Sequence, residues 1–119
     1  MKSKRVKKLL RKYFQWWIHW TGLGYWSVRA VFEKGIENRP GNLYLCGHVD
    51  AEWKYQTATV TFYPKAMRHL TPKEIEEAVV HEIMHVFLNE MQEDGMHHEE
   101  RCATQLQKAF SWVKGARQG

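Results

Sequence analysis

Apolar residues recur at helical spacing over the first twenty positions. Val6, Leu9, Leu10, Tyr13, Phe14, Trp17 and Ile18 fall on one side, Trp20 lies at its margin, and lysines and arginines stand opposite. That period predicts an amphipathic helix over 4–20, ended by Thr21-Gly22-Leu23-Gly24. Beyond it the period shortens to two. Residues 25–34 (YWSVRAVFEK), 43–53 (LYLCGHVDAEW) and 57–63 (TATVTFY) read as three strands, the last β-branched and alternating. Arg39-Pro40-Gly41-Asn42 marks a loop over 35–42, Lys54-Tyr55-Gln56 a short connection, and Pro64 a stop. Short connections predict a mainly antiparallel sheet.

The helical period returns at Leu70-Thr71-Pro72-Lys73-Glu74. Thr71 reads as the N-cap, Pro72 as the first helical residue and Glu74 as the return half of a capping box. The helix is expected to run to about Asn89. Gly95 breaks the pattern, and a last helix is expected from Met96 to about Lys114, with Cys102, Ala103, Leu106, Ala109, Phe110 and Val113 on its apolar face. The order predicts an α+β fold: an N-terminal helix, a three-stranded mainly antiparallel sheet, and two further helices. At 119 residues the chain suits one domain over 1–119, with helix 1–20 packed on it. A hydrophobic content of 44% with 13% aromatics is enough for a core and argues against wholesale disorder.

One stretch sets chemistry into this pattern. In VVHEIMHVFL, residues 79–88, three titratable side chains interrupt the most apolar part of a predicted helix, where unpaired charge is costly. His81-Glu82-Ile83-Met84-His85 is an HExxH motif. Four residues advance a helix by about 400°, so the two imidazoles lie roughly 40° apart and one turn along, within reach of one Zn²⁺. Glu82 points aside, where it can take the proton of a water that zinc acidifies. Catalytic zinc usually has three protein ligands, and His97-His98-Glu99-Glu100 follows after a short turn. Glu100, Glu99 and the two histidines are the candidates for the third.

Charge adds a second theme. The net charge is +5, and the excess is local: residues 2–12 (KSKRVKKLLRK) carry seven lysines and arginines and no acid. The plain reading of Lys2–Lys12 is a solvated helix face; a nucleic acid, an acidic partner or a membrane surface are the alternatives. The tryptophans on that helix could stack on bases, or dock it on the core. Cys46 and Cys102 lie far apart and outside any CxxC, which argues against a thiolate metal site; two reduced, buried thiols are expected, with a single disulfide as the alternative. YFQWWIHWTGLGYW is too polar and too short for a membrane span, and no signal-peptide cleavage pattern accompanies it. The expectation is an intracellular, cytoplasmic protein.

TPKEIEEAVVHEIMHVFL followed by HHEERCATQLQKAF, with TATVTFYP upstream, resembles the small gluzincin-type zinc metallopeptidases, among them the minigluzincins and the compact metallopeptidases of phage and prophage genomes. The resemblance covers roughly residues 43–113. It implies a peptidase acting on peptide or protein substrates, with His81 and His85 as zinc ligands and Glu82 as general base. It implies a glutamate on the last helix as third ligand, followed at the third place by a small residue and at the fourth by a polar one that supports a ligand histidine. Glu100 with Ala103 and Thr104 fits that register, whereas Glu99 puts Cys102 and Ala103 there. Thr104 departs from the usual Asp. The resemblance also implies that residues 57–63, with Thr57, Thr59 and Thr61, form a sheet edge to which substrate adds as a strand. Tyr63, His97 and His98 are candidate oxyanion donors. The metzincin pattern is absent, since no Gly and His follow His85 at its spacing.

Overall fold

The computed structural model describes residues 1–34, 46–93, 95 and 97–118. Helix α1 spans Ser3–Trp20, strands β1, β2 and β3 span Ser27–Phe32, Gly47–Glu52 and Thr57–Phe62, and helices α2 and α3 span Pro72–Glu93 and Glu99–Gln118. Short 3-10 turns at Leu23–Tyr25 and Pro64–Met67 precede β1 and α2. The fold is α+β. The predicted loop 35–42 and the first residues of the predicted second strand, 43–45, lie outside the described residues.

α1 buries Val6, Leu10, Phe14 and Trp17, the stripe that its period sets out. It ends where Gly22 takes a left-handed conformation (φ 79°) and the Thr21 N–H donates to the Trp17 carbonyl. α2 begins as its capping box dictates: the Thr71 N–H donates to Glu74 Oε1 at 3.0 Å, and the Glu74 N–H donates to Thr71 Oγ1 at 3.2 Å. Ile75, Val79, Val80, Ile83, Met84 and Val86 are buried, more than one face of a surface helix needs, because α2 has neighbours on several sides. It packs on α1, on the sheet and on α3. Ala58, Val60 and Phe62 meet these helices from β3.

The sheet departs from expectation in two ways. It is mixed: β2 and β3 form the antiparallel hairpin, but β1 runs parallel to β3. And β3 is central, in the order β1-β3-β2, so it has no open edge. TATVTF carries no charge, while β1 carries Arg29 and β2 carries His48, Asp50 and Glu52; charges are tolerated on outer strands and resisted in the middle one. Thr57, Thr59 and Thr61 alternate with the core-facing Ala58, Val60 and Phe62, so they stand on the face of the sheet turned away from α2. They are not the substrate edge. The strand bordering α2 with one side unpaired among the described residues is β2.

Three helix ends also differ. α2 continues to Glu93, one turn past Asn89, and α3 starts at Glu99 rather than Met96 and passes through Gly115. Gly95, with φ 81°, makes the turn between them and donates its N–H to the Gln92 carbonyl. Of the expected apolar face of α3, Ala103 is fully buried and Cys102 and Leu106 pack partly on the core, but Phe110 and Val113 are exposed.

Candidate metal centre

His81 and His85 lie one turn apart on α2, as their spacing requires, and the first turn of α3 lies across them. His81 Nε2 and His85 Nε2 are 3.3 Å apart. Glu100 bridges them, with Oε2 3.1 Å from His81 Nε2 and Oε1 2.8 Å from His85 Nε2. These three residues form a group positioned to hold a metal ion, with ligand atoms all within 4.8 Å of one another. A tetrahedron with bonds of 2.0–2.1 Å has edges of roughly 3.3 Å, so the group is already near the size a tetrahedral ion needs.

The fourth member is Glu99. Its Oε2 is 2.8 Å from His85 Nδ1, so it holds the ring from behind. This is the support expected of Thr104, which the structure leaves half-buried on α3; the polar partner of His85 Nδ1 is the carboxylate next to the bridging glutamate. The arrangement poses a proton problem. If His85 donates its Nδ1–H to Glu99, its Nε2 carries a lone pair that faces the lone pairs of Glu100 Oε1. A neutral imidazole has one N–H, so one proton cannot satisfy both carboxylates. A cation between Nε2 and Glu100 would satisfy both sets of lone pairs. Burial holds His81 below the ordinary histidine value, against the pull of Glu100, which keeps its lone pair free for a metal. The donor set therefore fits a metal ion.

Glu82 is buried on the same helix, 8% exposed. Burial pushes its carboxyl up to about 7, opposed by His85 and assisted by Glu100. With His85, Asn89 and Gln92 it forms a polar stripe at i, i+3, i+7 and i+10, which lines a cleft of about 280 Å³. Gly47, His48 and Val49 of β2 form one wall, and Glu99 and Glu100 another. β2 reaches this close because position 47 has no side chain. A Cβ there would lie 2.5 Å from the Thr61 carbonyl oxygen and 3.5 Å from Glu82 Cγ. Farther along, Asn89 Oδ1 accepts the Trp53 N–H at 3.2 Å, pinning the end of the hairpin to α2.

Of the candidate oxyanion donors, Tyr63 is buried, with its hydroxyl 2.8 Å from His48 Nδ1. Burial raises its pKa, and the carboxylates of Glu33, Asp50 and Glu82 add to the effect. His97 and His98 are exposed on the turn before α3. The side chain the structure brings to the rim of the cleft is His48, 3.6 Å from Asp50. Sequence reasoning passed over His48, Gly47 and Asn89. Only Gly47 carried a signal, as a glycine inside a predicted strand, which often marks a close backbone approach. Cys46 and Cys102 are both unpaired thiols, half-buried.

No helix among the described residues is long and apolar enough to cross a membrane. Comparisons with protein-family models, with curated proteins and with solved structures find no match to this chain.

Proposed function

We propose that the chain is a zinc-dependent peptidase of gluzincin type. The observation that carries this reading is a buried carboxylate, Glu82, in the same cleft as His85 and Glu100 of the His–His–Glu donor group, beside a strand whose outer side is unpaired among the described residues. A zinc ion bound there would acidify a water and polarise a carbonyl. His81, His85 and Glu100 would hold the ion, and Glu99 fixes the ring of His85. Glu82 accepts the proton of the attacking water at its carboxylate and passes it to the leaving amine. Burial raises that carboxyl in the metal-free chain, and a bound cation would draw it back towards the carboxylate that a general base needs. The outer edge of β2 offers backbone donors and acceptors to an extended peptide, which would add to the sheet as a fourth strand.

The test is hydrolysis of a quenched-fluorescent peptide library by zinc-loaded protein, wild type against Glu82→Gln, with metal content measured in both. The expected outcome is a loss of roughly 10²- to 10⁴-fold in the variant, the size of a general-base contribution, with one zinc retained. Wild type that holds zinc and cleaves nothing would make the centre a structural staple between α2 and α3.

A further inference from the structure

The metal cleft leaves two features unused: the basic face of α1 and the exposed apolar end of α3. They meet. Trp16, Trp17 and Trp20 of α1 and Phe110, Val113 and Lys114 of α3 line a cleft of about 340 Å³. Trp16 and Trp20 stack, with ring centroids 5.4 Å apart and planes 27° from parallel. Trp20 is 54% exposed, Phe110 41% and Val113 48%. Lys114 is spent: it is ion-paired to Glu76 and lies 4.1 Å over the Trp16 ring. The cleft itself therefore offers flat aromatic surface and little charge.

Charge lies along the helix leading to it. At 100° per residue, Lys2, Arg5, Lys12, Trp16 and Trp20 fall within an arc of about 80° beside the buried stripe. Lys2, Lys4, Arg5, Lys7, Lys8, Arg11 and Lys12 are all exposed, and among the described residues none is in an ion pair. An anion from outside the described fold is what would neutralise them. From Arg5 to Trp20 the track is roughly 22 Å long, enough for about four nucleotides, the low end of site sizes on single-strand binding folds.

We infer that α1 and the adjoining end of α3 bind single-stranded nucleic acid, with the phosphates along the lysine and arginine track and one or more bases stacked in the tryptophan cleft. Charge complementarity favours a polyanion, and the exposed indole of Trp20, stacked on half-buried Trp16 and beside exposed Phe110, favours one that carries flat rings. A duplex hides its bases from such a cleft.

The experiment is fluorescence anisotropy of a labelled 12-mer oligothymidylate with zinc-loaded protein, beside an abasic 12-mer of equal charge and an unlabelled duplex competitor, at 50 and 200 mM salt. Oligothymidylate is expected to bind more tightly than the abasic strand and than the duplex. Trp20→Ala and Phe110→Ala should each weaken it by about 5-fold or more, as loss of base stacking does, with zinc content unchanged. Arg5→Ala with Lys12→Ala should weaken both strands alike and lower the salt slope by about 1.4, or 0.7 per phosphate contact. Equal affinity for thymidylate and abasic strands, indifference to both aromatic truncations, or no binding at 50 mM salt overturns the proposal. Binding to phosphatidylserine vesicles in place of the oligonucleotide overturns it in favour of a membrane surface.

Discussion

Replacing Glu82 by glutamine should stabilise the metal-free protein, and only above the acidic range. In the folded chain burial lifts this carboxyl from 4.5 to about 7. A raised acid binds its proton more tightly in the folded state than in the unfolded one. Its contribution is therefore intact below about pH 4.5 and is lost as pH climbs towards 7, after which both states are ionised and the loss is constant. The loss is on the order of 3 kcal/mol. Glutamine resembles the protonated acid in shape and cannot ionise, so the variant escapes it. The assay is urea denaturation in chelator and reductant at pH 4.5, 6 and 8. His81, depressed by burial, makes stability rise with pH as it loses its proton, but it does so in both proteins and cancels in their difference. The two proteins should be nearly equal at pH 4.5, with the variant ahead by about 3 kcal/mol at pH 8. Saturating zinc should shrink that lead, because a nearby cation favours the carboxylate. A difference that stays the same from pH 4.5 to 8 would refute the argument, since it would mean that Glu82 is not titrating against its burial.

Three further outcomes follow from the geometry. Glu100→Ala should lose bound zinc, whereas Glu99→Gln should retain it with affinity lowered about 10- to 100-fold, as for loss of a ligand's supporting partner; chelator competition reads both, and the reverse ranking would exchange the two roles. Gly47→Ala should destabilise by about 1–3 kcal/mol, because the new methyl group meets a backbone oxygen that cannot rotate away; an unchanged thermal midpoint would mean that β2 and β3 yield there. Lys114→Ala should cost about 3 kcal/mol by leaving the largely buried Glu76 with the Trp17 indole N–H as its one hydrogen-bond partner among the described residues, and a Glu76→Met, Lys114→Met double variant should cost less than the single change in chemical denaturation.

What could be read from the sequence was local. The HExxH pair, the capping box at Thr71 and the buried stripe of α1 each depend on residues within a turn or two of one another, and each lies where its spacing puts it. Strand order was hidden, because three short strands with short connections admit several orders and only burial decides among them. The clue, the uncharged TATVTF between two strands that carry charge, is clear once the order is known. The choice between Glu99 and Glu100 was half legible. Helical register separates the two by 100°, but which of them faces both histidines depends on how α3 crosses α2. The structure gives each a job, a division that a search for one third ligand does not anticipate. The second half of α3 misled because Phe110 and Val113 keep the helical period of a core face while α1 opposite them supplies an open cleft.

α3 is a strap with two buckles. Of its described side chains Ala103 alone is fully buried, so packing holds it lightly along its length. At one end Glu99 and Glu100 clasp the histidines of α2; about 21 Å away, Lys114 is fastened to Glu76 and rests on the tryptophans of α1. Fastening either end lowers the entropy still to be lost in fastening the other. An ion at the first buckle would therefore tighten the aromatic cleft at the second, and a ligand in that cleft would, by the same free energy, raise the affinity for the ion.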